Sequence, residues 1–349
     1  MKLERFTGDA PGEVEAPLKE FQSTGGLEGI VLDLRDNPGG LLRAAVRITE
    51  LFVPNGAVIV STRGRGGTVG DTFRSGRTPL LPDASVVILV NGESASASEI
   101  VAGAMQDHDR GVVMGTTTYG KGLVQNVRSL PHNTALKLTT AQYYTPSGRS
   151  IQTLEAPGRD STGDSSQGRA HETTHGRTVR DGDGIQPDVR VPAPSSSALE
   201  TALTRHDAFF RYANHYAATH DTLATNFSVT DADLTAFRDW LDRDGLQYPT
   251  QAQRSLDSLR AQIEASGYKT VQDELSALKE ALRKEKGAAF DRHASALKRH
   301  LKREILARYV RADRQVAALL PADGQVAAAT ELLDDPERYE RILTPEGER

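Results

Sequence analysis

Asn91-Gly92-Glu93-Ser94-Ala95-Ser96-Ala97-Ser98-Glu99 joins two segments of different hydrophobic period, and its reading decides the fold. Before it, Ser85-Val86-Val87-Ile88-Leu89-Val90 is a continuous apolar run, the pattern of a strand covered on both faces. After it, Ile100, Val101, Ala104 and Met105 recur at helical spacing. The small residues between let the backbone turn tightly. A serine in such a turn is presented at a helix N-terminus, where unpaired N–H groups and the helix dipole favour a developing anion. The plainer role for these serines is helix capping. Gly29-Ile30-Val31-Leu32-Asp33-Leu34 and Gly111-Val112-Val113-Met114 have the same strand character, so an α/β sheet is expected.

Working outward, a helix of about 14 residues spans about 21 Å, and the strand from Gly111 carries the chain back over a similar distance. A right-handed βαβ crossover then returns residues 115–122 to the sheet edge that holds Ser96. The arriving segment is Gly115-Thr116-Thr117-Thr118-Tyr119-Gly120-Lys121-Gly122, in which two glycines flank a lysine. Taken alone, Lys121 reads as a solvated loop lysine. The turn Asp33-Leu34-Arg35-Asp36-Asn37-Pro38-Gly39-Gly40 opens at the carboxyl end of the first strand, where α/β sites are usually built. Asp33 and Asp36 are expected to stabilise that turn by hydrogen bonds.

The chain has 349 residues, 38% of them hydrophobic, enough for two domains. Its first half reads as short strands with one good helix. Thr134 to Gln142 alternates Leu136 and Leu138 with polar neighbours, as a half-buried strand would. Residues 156–184 are polar and rich in Gly, Ser, Asp and Arg, and read as a long loop. Past Pro192-Ala193-Pro194-Ser195 the pattern becomes helical, so the expected domains are 1–194 and an all-α 195–349. Thr230-Asp231-Ala232-Asp233 and Thr250 are expected helix caps, and Leu275 to Arg308 a charged amphipathic helix pair.

Absent cysteine excludes disulfides, a thiolate nucleophile, iron–sulfur clusters and Cys-based zinc sites. A net charge of −5 without a basic face argues against a nucleic-acid partner. No apolar window nears the ~20 residues of a transmembrane helix, and no signal-like run follows Met1-Lys2-Leu3-Glu4-Arg5. His171-Glu172-Thr173-Thr174-His175 matches the zincin motif literally, but that chemistry needs both histidines on one face of an ordered helix. Its polar surroundings offer no apolar face to hold one, so no metal site is expected.

Five segments together carry a resemblance: Leu32-Asp33-Leu34-Arg35-Asp36-Asn37-Pro38-Gly39-Gly40, Ser94-Ala95-Ser96-Ala97-Ser98-Glu99-Ile100, Tyr119-Gly120-Lys121-Gly122-Leu123-Val124-Gln125, Tyr144-Thr145-Pro146-Ser147-Gly148-Arg149-Ser150-Ile151-Gln152 and Asp183-Gly184-Ile185-Gln186-Pro187-Asp188. In order over residues 29–191, they resemble the signature segments of the carboxyl-terminal processing (tail-specific) proteases, peptidase family S41. Leu333-Asp334-Asp335-Pro336-Glu337-Arg338-Tyr339 is similar to the extension of a bacterial branch of that family.

The resemblance implies a ClpP/crotonase-like spiral core and a serine endopeptidase that cleaves proteins near their C-termini without a cofactor. It implies Ser96 as nucleophile, Lys121 as general base, Gln125 orienting the lysine, and the Gly40 and Ala97 amides as oxyanion hole. Such a base must be neutral, and burial can lower an amine's pKa from about 10.4 by several units. A protein or peptide substrate and a bacterial periplasm or envelope location follow as expectations. Family members usually carry an export signal and a PDZ domain before the core; here both are expected to be absent. A catalytically idle binding or scaffold protein of the same fold is the alternative.

Overall fold

The computed structural model describes residues 1–23, 27–64, 67–152, 168–182, 184–193, 195–224, 226–243, 249–268 and 271–344. The chain divides into two compact units, Met1–Ala193 together with Gly324–Arg349, and Pro194–Asp323.

The first unit begins with α1 (Ala10–Ser23), β1 (Gly29–Asp33), α2 (Leu42–Thr49), β2 (Val58–Arg63), β3 (Val69–Arg74), β4 (Ser85–Val90), α3 (Ala97–Asp107) and β5 (Val112–Gly115). It continues with β6 (Leu123–Leu130), β7 (Thr134–Tyr144), β8 (Ala170–Glu172), β9 (Thr178–Arg180) and β10 (Val189–Arg190). Three helices thus stand where the pattern suggested one: α1, with Pro17 inside it, buries Ala10, Val14 and Leu18, and the short α2 buries Ala44, Ala45 and Ile48.

A parallel sheet runs β1-β4-β5-β10, with Ile30 opposite Val86 and Val90 opposite Gly115. The period of two sorts the apolar run of β4 between two cores. Val86, Ile88 and Val90 join α1, α2 and α3 in one, and Val87 and Leu89 enter the other. Every residue of α3 is buried, so this helix is held by packing on all sides.

A second, antiparallel sheet runs β3-β2-β7-β6. Only the end of β7 pairs with β2, through Gln142, Tyr143 and Tyr144. Farther out β6 and β7 pair only with each other, leaving Leu136 and Leu138 each 43% exposed. The expected half-buried strand is therefore an exposed ribbon over most of its length, since alternation sets faces but not what covers them.

Of the expected loop of 156–184, residues 156–167 and 183 lie outside the described set. Residues 168–182 contain the β8–β9 hairpin, with Val179 and Thr173 buried. Arg177 anchors it through Asp109 and Asp188, each at 2.5 Å. The zincin-like motif falls on this hairpin rather than on a helix. Its two histidines go separate ways, His171 to Asp181 at 3.0 Å and His175 to the Leu343 carbonyl at 3.2 Å.

The second unit is helical: α4 (Ala198–Arg205), α5 (Ala208–Thr219), α6 (Asp231–Arg243), α7 (Gln251–Ala265), α8 (Gln272–Arg292), α9 (Ala294–Tyr309) and α10 (Ala312–Leu319). Phe209, Tyr212, Phe237, Trp240 and Phe290 share one core with Leu297, Leu301 and Ile305. Thr230 and Asp233 bond reciprocally at the start of α6, and the Thr250 hydroxyl accepts the Gln253 N–H at the start of α7.

The last helices, α11 (Gly324–Leu333) and α12 (Pro336–Leu343), depart from the expected 195–349 domain by folding with the first unit. Ala329, Leu332, Tyr339 and Leu343 cover Val87, Leu89, Val112 and Met114. The Tyr339 hydroxyl accepts the Val86 N–H at 2.8 Å and donates to the Val86 carbonyl at 3.0 Å. The physical reason is the exposed second face of the parallel sheet, which needs an apolar cover. Among the described residues, no helix is long and apolar enough to cross a membrane.

Candidate active site

The turn after β4 is tied to the turn after β1 by its small polar residues. Ser94 Oγ accepts the Asn91 N–H at 2.9 Å and donates to the Leu34 carbonyl at 2.8 Å. Ser98 Oγ donates to the Asn37 carbonyl at 2.9 Å, and the same carbonyl accepts the Ala95 N–H at 3.0 Å. Asn37, itself buried, donates to the Leu3 carbonyl and accepts the Gly39 N–H. Ser94 and Ser98 are therefore structural, and both are fully buried. Ser96 stands between them, half-exposed at the N-terminus of α3.

Its backbone is strained, with φ 56° and ψ −107°, a conformation that non-glycine residues rarely adopt. Such strain at a sharp strand-to-helix turn presents a side chain outward and persists only where the surroundings over-determine it. Gly39, at φ 93°, is part of that determination: a Cβ there would lie 2.5 Å from the Ala95 carbonyl and 3.0 Å from Ser96 Cβ. Only glycine lets the two turns approach this closely. Among the described residues, neither the Gly40 nor the Ala97 N–H donates to a protein acceptor, and both flank this contact.

The lysine segment arrives beside β4 as the crossover requires. Thr116 N–H donates to the Val90 carbonyl at 3.1 Å and Tyr119 N–H to the Ser94 carbonyl at 3.0 Å. What fastens it is Glu99, a fully buried carboxylate. Its Oε1 accepts from Thr118 Oγ1 at 2.6 Å and from the Gly120 N–H at 2.7 Å. Its Oε2 accepts from the Ser96 N–H at 2.7 Å and the Lys121 N–H at 2.8 Å. The backbones of Ser96 and Lys121 thus hang on one oxygen atom. Burial pushes the Glu99 carboxyl above its ordinary value, against the opposing pull of Thr118 and the three backbone donors.

The fold brings together the backbones of Gly40, Ser96, Ala97 and Lys121. It does not bring the side chains of Lys121 and Gln125 inward: both are exposed, Gln125 on β6 next to a register irregularity after Val124. Asp33 forms a two-point ion pair with Arg35 at 2.8 and 2.7 Å and accepts the Arg35 N–H, holding the turn as expected. Asp36 does so through Asn91. The residue that sequence reasoning left without a role is Glu99, although Ser96-Ala97-Ser98-Glu99 has the spacing of a capping box.

Residues 1–157 match the model of peptidase family S41, and residues 199–333 that of a C-terminal helical domain described as belonging to a probable PDZ-protease. The chain is 49% identical over 155 residues to a carboxy-terminal-processing protease of Bartonella bacilliformis, covering 44% of this chain and 36% of that protein. It is 38% identical over 154 residues to a carboxyl-terminal-processing protease of Picosynechococcus, again covering 44% and 36%. The solved photosystem II D1 C-terminal processing protease matches with 29% identity and a TM-score of 0.43, over 55% of this chain and 41% of that one. The matches span about a third of the length of the first curated relatives. Over residues 1–157, this chain is similar to peptidase family S41.

Proposed function

We propose that the chain is a serine endopeptidase that cleaves proteins near their C-termini by a Ser–Lys mechanism, on a core of the ClpP/crotonase-like spiral kind. The observation that carries the proposal is the strained Ser96 at the start of α3, with two unpaired amides beside it and the lysine segment fastened to the same carboxylate. In the first step Ser96 Oγ bonds to the scissile carbonyl carbon as its proton passes to neutral Lys121 Nζ, and the carbonyl oxygen becomes an anion facing the Gly40 and Ala97 amides. The C–N bond then breaks, with Lys121 returning the proton to the leaving amine. Water attacks the resulting ester, giving a proton to Lys121, which returns it to Ser96 Oγ as the ester C–O bond breaks and the new carboxylic acid leaves.

Lys121 is exposed in the free chain. A substrate lying across Ser96 and Lys121 would strip water from the amine, and Gln125 would orient it once covered. No cofactor is needed. The exposure of Lys121 and Gln125 also favours a second reading, a catalytically idle binding protein on the same fold.

The two are separated by incubating the purified chain with an unstructured protein, beside Ser96→Ala and Lys121→Ala variants and a sample with chelator. Cleavage is expected in the wild type with or without chelator, and a loss of at least about a thousandfold in each variant. Equal cleavage by all samples, or none by any, overturns the Ser–Lys reading.

A further inference from the structure

Asn-Gly occurs twice in the chain, at Asn55-Gly56 and at Asn91-Gly92, the second opening the turn that presents Ser96. In this dipeptide the glycine nitrogen is a poorly shielded nucleophile, because no Cβ stands beside it, and the asparagine amide carbon is its electrophile. The fold holds the two copies differently. The Gly56 N–H donates to the Ser75 carbonyl at 2.8 Å. Gly92 is exposed, and among the described residues its N–H has no protein acceptor. The half-buried Asn91 side chain is also set for attack. Its Oδ1 accepts the Glu93 N–H at 3.1 Å, an Asx turn that folds the amide back over the Gly92 nitrogen. The same oxygen accepts the Asp36 N–H at 3.0 Å, so two main-chain donors polarise the carbonyl and face the oxyanion that attack would create.

We propose that Asn91 is a site of spontaneous deamidation that limits the working life of the Ser96 turn. The Gly92 nitrogen bonds to Asn91 Cγ and gives up its proton, the Cγ–Nδ2 bond breaks, and ammonia leaves with that proton. Water then opens the cyclic imide to aspartate or isoaspartate. Either product sets a carboxylate where Nδ2 now donates to Asp36 Oδ1 at 2.8 Å, exchanging a hydrogen bond for a like-charge contact. Isoaspartate also adds a methylene to the main chain at the entrance to the turn that Ser94 and Ser98 tie to Leu34 and Asn37. Ser96 cannot keep its strained backbone once those ties shift. The loss of activity rests on the assignment of Ser96 as nucleophile; the conversion of Asn91 does not.

The test holds the full-length chain, folded, in warm and mildly alkaline buffer. Peptide mapping by mass spectrometry follows the amide-to-acid gain and isoaspartate at Asn91 and Asn55, and cleavage of an unstructured protein is assayed on the same samples. A urea-unfolded sample frees both dipeptides from their hydrogen bonds. Gly92→Ala shields the nucleophile. The fold accepts it, since the added Cβ meets nothing nearer than the Thr117 carbonyl oxygen at 4.0 Å and φ lies outside the left-handed region. In the folded chain Asn91 is expected to convert roughly two- to tenfold faster than Asn55, the rate equivalent of the one hydrogen bond that separates the two glycine amides, and unfolding should erase the difference. Activity should fall in step with intact Asn91, and Gly92→Ala should preserve both. Conversion at Asn55 as fast as at Asn91, or faster, overturns the site, and so does activity that decays equally in Gly92→Ala. If wild type cleaves nothing from the outset while Asn91 still converts ahead of Asn55, the modification site stands and the peptidase reading falls.

Discussion

Glu99 has two oxygens and receives four donors, from Thr118, Gly120, Ser96 and Lys121. Each oxygen is saturated, so a proton on either would stand against a donor. In Glu99→Gln the amide nitrogen would face two N–H groups, or one N–H and the Thr118 hydroxyl, which can turn to accept, leaving one or two buried donors unpaired at about 1–3 kcal/mol each. The expected outcome is a lower thermal midpoint together with a drop in kcat/KM of about a hundredfold, the scale of a misplacement of about 1 Å at a reacting centre. The pH dependence has a definite sign. Burial raises the Glu99 carboxyl, so on acidification it gains its proton while ordinary glutamates, near 4.3, are still ionised. A raised carboxyl pKa means tighter proton binding in the folded chain than in the unfolded one, so this step withdraws no stability as pH falls. Beyond the decline that protonation of the general base imposes, activity should therefore fall again on the acid side at a pH where the melting temperature does not fall with it, and Glu99→Gln should lack that second step. Coincident loss of activity and structure would refute the assignment.

At the scale of elements, the turn after β1 and the turn before α3 are a single mechanical piece. Gly39→Ala forces a side chain into a positive-φ position at about 1–3 kcal/mol and drives its Cβ against the Ala95 carbonyl. Urea unfolding should register the destabilisation, and cleavage should fall because Ser96 cannot keep its strained geometry. The β8–β9 hairpin offers a contrasting case remote from Ser96. Arg177 bridges Asp109, whose side chain is fully buried, and Asp188, which burial pushes above its ordinary value. Arg177→Met leaves those carboxylates unpartnered by a cation, an expected loss of about 3–5 kcal/mol in unfolding free energy. An unchanged denaturation midpoint would show that the hairpin is not held this way.

For the whole molecule, the decisive fact is that both faces of the parallel sheet must be covered and that the two covers come from opposite ends of the chain. Helices α1, α2 and α3 cover one, and α11 and α12 the other. Ending the chain at residue 323 should expose Val87, Leu89, Val112 and Met114 and yield a protein that binds a hydrophobic dye and aggregates on warming, whereas a true 195–349 domain would leave the sheet untouched. The milder Tyr339→Phe should cost about 1–3 kcal/mol by leaving the Val86 N–H unpaired, read from the same denaturation curves.

The path from β4 through Ser96 into α3 was legible in the sequence because period, small residues and a cap are properties of neighbours along the chain. So were the strands of the parallel sheet, the turn at Asp33–Gly40 and the capped helices of the second unit. The rest depended on partners distant in sequence. Leu136 and Leu138 alternate as buried residues do, but each stays 43% exposed among the described residues. The polar segment around Arg177 orders because Asp109 and Asp188 are waiting for it. The last two helices look like their helical neighbours and are claimed by a sheet face some 250 residues earlier, as the Val86–Tyr339 contact over a separation of 253 shows. Above all, Ser96 and Lys121 are named by the sequence, but only the fold hangs their backbones on one oxygen of Glu99 and turns the lysine side chain outward, because burial, and with it the choice of hydrogen-bond partner, is a property of the packed chain.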